Sequence, residues 1–462
     1  MSDFTGKFFV PSDENFVEEA FSRAFNKRRP TDRLPSAVLR AADVDDVIAG
    51  VKWAKANNLA VTVRSGGHSW AAWSIQNDTL LIDLEHLHNA GYDEETGIAW
   101  AEPAIQGGNV LDPFLAERGR FFNGGHCPPV GVGGFLLQGG QGWCQRGWGW
   151  AAESVVGVDV VTAEGELVHA DANENSDLYW AARGAGPSFP GIVVKFYLKT
   201  RPRFGYVGHN VQIYDMADFS EVMEWMYHAD KNLIGPDVEI VCVSLTPPSM
   251  NGEPRKRVLA VTGLALVDSK EAADEALAPF QQCPAIDRAL VNEPNEATSL
   301  AERREDQIRM NPEDHRWYTD NIWVDGDPKE VVERIRPLFA DIPEEEPEAF
   351  AIWFGNGLMR PLPDMALDMQ TPAYVASYFV YNDAANDVRN REYLNGAMAY
   401  AQPVTTGQYL GDSDFTNRQL KFMSDKNFEK LQGIIANWDA DGRFVRYLAK
   451  DPANINKNHW QL

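Results

Sequence analysis

Two side chains in this sequence have the right type and setting for nucleophilic chemistry. His68 lies in Arg64-Ser-Gly-Gly-His-Ser69, and Cys127 lies in Gly124-Gly-His-Cys-Pro-Pro-Val-Gly-Val-Gly-Gly134. Neutral imidazole and thiolate are both nucleophilic near neutral pH, although an isolated histidine is usually structural and a lone cysteine usually a small buried hydrophobe. Each sits among glycines. Adjacent Gly66 and Gly67 after a strand let backbone N–H groups turn toward one anion without Cβ obstruction, which makes a pyrophosphate cradle or, more simply, a tight turn. The spacing is not the Gly-x-Gly-x-x-Gly dinucleotide fingerprint. The second run continues into Gln138-Gly-Gly-Gln-Gly-Trp143. Glycine loses the most entropy on folding, so such density implies a backbone pressed against something large and flat or polyanionic.

The elements that must hold these loops are legible around them. Asp43 is placed to cap a helix whose apolar face is Val44, Val47, Ile48 and Val51, at i, i+3, i+4 and i+7. Asn57-Asn58 ends it, and residues 59–63 form a β-branched strand running into the first glycine loop. Residues 79–83 form the next strand. After the second glycine run, strands 156–162 and 167–170 make a hairpin turning at Glu164-Gly165. A short helix near 177–183 then leads through Gly184-Ala-Gly-Pro187 into the strand 191–198. From about 201 to 405 glycines thin out, and strands alternate with helical stretches. The candidate strands are 238–245, 257–266, 349–354 and 373–381, the pattern of an α+β domain on an antiparallel sheet. The run Glu344-Glu345-Glu346 reads as a solvated loop. The tail carries a helix, 427–438, and is too small to fold alone.

Length and composition bound the answer. A chain of 462 residues predicts two domains or one with a large insertion. The net charge of −25 argues against a nucleic-acid partner. No stretch approaches the ~20 apolar residues of a membrane span, and the N-terminal residues lack a signal-peptide core. The expectation is a cytoplasmic protein with no membrane partner. Cys127, Cys144, Cys242 and Cys283 form no CxxC pair, so neither a metal site nor a disulfide framework is expected.

The order of these motifs resembles the FAD-linked oxidases of the vanillyl-alcohol-oxidase and p-cresol-methylhydroxylase (PCMH) superfamily, in the berberine-bridge-enzyme-like branch. The motifs carrying the resemblance are Arg-Ser-Gly-Gly-His-Ser, then Gly-His-Cys-Pro-Pro-Val-Gly-Val-Gly-Gly, then Asp-Leu-Tyr-Trp-Ala-Ala-Arg-Gly-Ala-Gly before Gly-Ile-Val. They span about residues 35–200. The resemblance implies an α+β fold: a two-lobed PCMH-type FAD-binding domain (1–200), an inserted α+β substrate domain on an antiparallel sheet (201–405), and a C-terminal segment (406–462) returning to the first domain. It implies FAD bonded through its 8α-methyl to His68 and through C6 to Cys127. The cofactor would be lined by Arg64, Ser65, Gly66, Gly67, Ser69, Val130, Gly131, Gly133, Gly134, Gly139, Gly142, Gly191, Ile192 and Val193. Arg64 and His126 are positioned in sequence to lower the Cys127 thiol pKa, and Cys144 reads as packing. Val130 matches a position near the flavin's oxygen-reacting carbon, where a small residue fits an oxidase. Two segments depart from the family: Gly184-Ala-Gly-Pro-Ser-Phe-Pro-Gly-Ile-Val193 has no asparagine, and Tyr409-Leu-Gly-Asp412 stands where the family has Tyr-x-Asn.

Removing a hydride from an alcohol or activated C–H also needs a base for the proton. Tyr409 is the first candidate and Tyr378 the second, with Asp412 and Asp414 as acidic alternatives. Tyr374 and Tyr378 share one face of their strand by period-2 alternation. The run His315-to-Trp323 reads as pocket wall or helix-face packing. The leading expectation is an oxidase of a small or medium organic substrate (a carbohydrate, alcohol or phenolic) with O2 as acceptor, acting as a monomer or homodimer. The alternatives are a dehydrogenase using another acceptor and a flavin-bearing redox or binding protein without efficient turnover.

Overall fold

Asp43 does cap the helix that the sequence predicts. In the computed structural model, which describes residues 4–248 and 255–447, Val44–Ala56 is helical and the Asp43 carboxylate accepts from the Asp46 amide at 3.0 Å. This satisfies one of the amides a helix start leaves bare. Val47, Val51 and Ala54 bury against a first sheet made of β1 (Lys7–Phe9), β2 (Ala37–Arg40), β3 (Ala60–Arg64) and β4 (Thr79–Asp83). Its order is β1-β2-β4-β3. The β2–β4 and β3–β4 pairs are parallel, and the register sets Arg64 opposite Asp83. Strand β4 is buried along its whole length, as its Leu-Leu-Ile run requires.

Seven strands follow: β5 (Ala90–Asp93), β6 (Ile98–Ala101), β7 (Arg120–Phe121), β8 (Val155–Val161), β9 (Leu167–Asp171), β10 (Ile192–Lys199) and β11 (Arg201–Pro202). Five form an antiparallel sheet, β5-β6-β10-β8-β9, while β7 pairs with β11. The β8–β9 hairpin turns where expected, with Gly165 at φ +72°.

The third sheet has eight strands: β12 (Tyr206–Asp215), β13 (Val238–Leu245), β14 (Val258–Val267), β15 (Val291–Ala297), β16 (Arg316–Val324), β17 (Phe350–Gly355), β18 (Ala373–Tyr381) and β19 (Thr405–Gly407). Their order is β15-β12-β14-β13-β17-β18-β16-β19, antiparallel throughout. One face buries Ile240, Cys242, Val261, Trp353, Val375 and Phe379 against the helices Phe219–Asn232 and Pro328–Phe339. The opposite face looks toward the two glycine loops. The chain end then returns to the earlier sheets. Leu431 and Ile435 of the helix Asp425–Trp438 join the core of Val158 and Phe196. Val61 donates to Arg443 O at 2.7 Å and accepts from Val445 N at 3.0 Å.

Two sequence expectations change here. His315-to-Trp323 is neither pocket wall nor a helix face; it is mostly strand β16, held between β18 and β19. Its alternation splits Trp317 and Trp323 from Tyr318 and Ile322, which face different cores. The acidic run is not wholly solvated either. Glu346 is buried, and it pairs with Arg389.

Candidate active site

Between the glycine loops and the third sheet lies a cavity of about 920 Å³, near the top of the roughly 300–1,000 Å³ range of small-molecule sites. Its floor is backbone. A Cβ on Gly66 would sit 2.5 Å from Gly131 N, and one on Gly131 would sit 2.8 Å from Gly66 N. The two loops therefore touch main chain to main chain, a distance only glycine permits. Gly67 is at φ +79°, with its α-carbon against the Arg23 carbonyl. Ser65 Oγ accepts from Gly134 N at 3.4 Å, and Ser69 Oγ accepts from Trp73 N at 3.2 Å.

His68 and Cys127 both line this cavity, one from each loop. The imidazole stacks on Phe25, with ring centroids 4.6 Å apart, and lies near the Pro129 carbonyl. Burial and the nearby Arg23 guanidinium lower its pKa to about 4. The ring is thus neutral at physiological pH. A neutral imidazole keeps one ring nitrogen with a free lone pair. Cys127 goes the other way: burial and the Asp412 carboxylate push its thiol up to about 12.

This reverses the expectation that Arg64 and His126 activate the thiol. Arg64 is turned into the protein, where its Nε donates to Asp83 Oδ2 at 2.9 Å and its Nη1 to the Ala20 carbonyl. The Asp83 partner comes from the parallel register of β3 on β4. Arg64 still lines the cavity, with its guanidinium held by Asp83 and the Ala20 carbonyl. His126 faces Glu239, with Nε2 2.9 Å from Oε2, and Glu239 also accepts from Cys144 N at 2.8 Å. Cys144 is fully buried, as packing requires.

Val130, Gly131, Gly133, Gly134, Gly191, Ile192 and Val193 all line the cavity, together with Ser65, Gly66, Gly67 and Ser69. Gly139 and Gly142 do not. Gly139, at φ +102°, gives room to Leu367, and Gly142 abuts the carbonyls of Asn123 and Gly124. Their glycine identity answers to packing rather than to the cavity wall. Gln141 between them is the residue that sequence reasoning passed over. It is buried and lines the cavity, and neither its Nε2 nor its Oε1 has a hydrogen-bond partner among the described residues. A buried amide left unpaired is costly, so an orphan facing a cavity marks a ligand position.

The ceiling is made of side chains. From β13 come Glu239, Val241, Val243 and Leu245; from β14 Ala260, Thr262 and Leu264; from β17 Phe350, Ile352 and Phe354; and from β18 Tyr378. The period-2 pleat selects this set. Tyr378 stacks on Phe350 at 4.7 Å and 15°. Thr262 Oγ1 donates to the Val241 carbonyl at 2.9 Å. At the rim, His209 Nδ1 lies 3.2 Å from Arg303 Nη1, and Arg303 pairs with Asp306 at 2.7 Å.

Floor and ceiling meet at Tyr409 and Asp412. Asn321 holds the Tyr409 backbone through two bonds, 2.8 Å from Tyr409 N and 2.7 Å to Tyr409 O. The Tyr409 hydroxyl accepts from Gln141 N at 3.2 Å. Asp412 Oδ2 accepts from Tyr374 OH at 2.9 Å, with the Trp70 and Tyr378 side chains close to the same carboxylate. Burial raises the Asp412 pKa above the ordinary carboxylate value. Burial and that same carboxylate raise both Tyr378 and Tyr409. Asp414 lies elsewhere, paired with Arg28. Among the described residues no three His, Cys, Asp or Glu side chains converge as a metal site, and no helix is long and apolar enough to cross a membrane.

Residues 35–171 match the FAD binding domain family. Over 451 residues the chain is 34% identical to the FAD-linked oxidoreductase nodO of Hypoxylon pulicicidum, covering 95% of this chain and 96% of that one. It is 39% identical over 178 residues to the xylooligosaccharide oxidase of Thermothelomyces thermophilus, covering 38% of this chain and 35% of that one. Its fold is similar to that of the glucooligosaccharide oxidase of Acremonium strictum, studied for its 6-S-cysteinyl, 8α-N1-histidyl FAD, with TM-score 0.80, 19% identity and 96% of each chain covered. Fold and cavity define a PCMH-type flavoprotein oxidoreductase. The chain belongs to the FAD-linked oxidoreductases. The residues present fit the cofactor: a backbone cradle that a Cβ would fill, a neutral imidazole, and an unpaired amide at Gln141.

Proposed function

We propose that the protein is an FAD-dependent oxidase of a small or medium organic alcohol, phenolic or carbohydrate, with O2 as acceptor and hydrogen peroxide as product. The observation carrying this reading is that His68 and Cys127 face one cavity from two loops in backbone contact. His68 and Cys127 would each bond the flavin covalently, as the cysteinyl-histidyl FAD of the Acremonium strictum enzyme does. Ser65, Gly66, Gly67, Ser69, Val130, Gly131, Gly133, Gly134, Gly191, Ile192 and Val193 would line it. On this reading residues 1–200 and 406–462 form the FAD-binding domain, and 201–405 form the substrate domain.

Bound FAD supplies the two-electron acceptor. The chain's own residues handle the proton. A tyrosine raised above its ordinary pKa is a poor base, whereas a carboxylate raised from below moves toward neutrality, where general bases work best. We therefore assign the proton to Asp412. The Tyr378 hydroxyl passes it from substrate, and Tyr409, fixed by Asn321 and Gln141, orients the reacting group. The test is aerobic turnover of a substrate panel with peroxide detection. Peroxide at the rate of substrate loss is expected. A reduced enzyme that ignores oxygen but reacts rapidly with quinones would make it a dehydrogenase. Acid-precipitated protein should stay yellow; a colourless pellet under a yellow supernatant would refute covalent attachment.

A further inference from the structure

We infer that the substrate is a lipophilic alcohol or phenol with an aliphatic or polycyclic body, not a sugar. This rests on the oxidase reading and narrows its substrate class. The ceiling decides the matter. Val241, Leu245, Ile352 and Phe354 are only half-buried, whereas their strand neighbours Ile240, Cys242, Ala351 and Trp353 are closed inside the sheet–helix core. Their exposure is to the cavity.

A sugar ring brings several hydroxyls, each of which must exchange water for a protein partner or lose affinity. The ceiling has almost none to give. Its one aliphatic hydroxyl, Thr262, is already bonded to the Val241 carbonyl. Its one carboxylate, Glu239, is taken by His126 and the Cys144 amide. On the ceiling side, free polar capacity gathers around Asp412, Tyr378 and Tyr409; the unpaired Gln141 amide lies in the floor, at the position assigned to the cofactor. At the rim, Arg303 is held by His209 and Asp306. An apolar body under the ceiling with one hydroxyl beside Asp412 matches the groups the ceiling presents.

The experiment uses the flavin-loaded protein without oxygen. Farnesol, perillyl alcohol and 1-naphthalenemethanol are titrated beside glucose, maltose, cellobiose and xylobiose. Binding is read as a perturbation of the flavin absorption bands, and chemistry as their bleaching. The apolar set should saturate at concentrations at least ~10-fold below any sugar. Val243→Asn and Leu264→Asn, with acid-stable flavin content as the check on folding, should each weaken apolar binding by ~10-fold or more. Sugars that bind as tightly as the alcohols, or no binding by the apolar set, would overturn the inference. Bleaching by sugars alone would overturn it while leaving the oxidase reading intact. Saturable apolar binding without bleaching would do the reverse, retaining the substrate class and counting against turnover.

Discussion

Floor and ceiling of the cavity are built on opposite principles. The floor is main chain held against main chain, with Gly66 and Gly131 in contact and Gly67 in a left-handed conformation. A side chain added there collides with backbone that has nowhere to go. The ceiling is one face of a pleated sheet, where every second residue projects into open space. Substitution there changes the shape of the cavity but not the course of the chain. On the proposed reading the difference is a division of labour: the rigid backbone mould would hold the cofactor, and the exchangeable side chains would meet the substrate.

That contrast can be broken or sharpened by experiment. Asp412→Asn, at the junction, should lower kcat by ~10²–10⁴-fold with little change in melting temperature. It should also remove the rise of activity with pH, which in the parent reports ionisation of a carboxylate whose pKa is raised. If Asp412→Asn keeps both rate and profile, the proton goes elsewhere. Beneath the floor, Asp83→Ala leaves the buried Arg64 charge uncompensated. A loss of roughly 3–5 kcal/mol in urea unfolding is expected, with reduced flavin content. Gly66→Ala should cost about 1–3 kcal/mol through overpacking against Gly131, read in the same way.

Attachment itself should split by pH. His68 stays neutral down to about pH 4, so histidyl attachment should proceed as well at pH 6 as at pH 8. The Cys127 thiol, at about 12, is mostly protonated throughout, so cysteinyl attachment should accelerate with each step up in pH. Mass spectrometry of flavin peptides from His68→Ala and Cys127→Ala proteins separates the two. Equal pH dependence would show that these environments do not govern attachment. The smallest effect belongs to the ceiling. Val243→Ala should cost only about 1 kcal/mol in unfolding, yet shift the preference among bulky substrates.

Much of the floor was legible in the sequence, because glycine density and the nucleophiles sit within short, contiguous runs. The helix behind Asp43, the hairpin at Gly165 and the strands 238–245 and 373–381 were likewise local patterns. What escaped depended on partners far along the chain. Arg64 stands beside the cradle in sequence, but the parallel pairing of β3 with β4 delivers Asp83 to it and turns its charge inward. Glu346 looked solvated until Arg389 came to meet it. Gly139 and Gly142 shared the composition of a ligand loop while answering to Leu367 and Asn123. The orphaned amide of Gln141 is visible only as a missing partner, which no local pattern records.

The pairing of Val61 with Arg443–Val445 has a consequence for synthesis. The strand leading into the His68 loop takes its last neighbour from residues made some 380 positions later. A ribosome releases the chain N-terminus first at about 5–20 residues per second, so the half of the mould made first must wait, unfinished, while the whole eight-stranded sheet emerges. That first half is complete only once residues 443–445 have emerged. A nascent chain stalled before residue 443 should therefore carry an assembled eight-stranded sheet beside an N-terminal sheet still open to proteases.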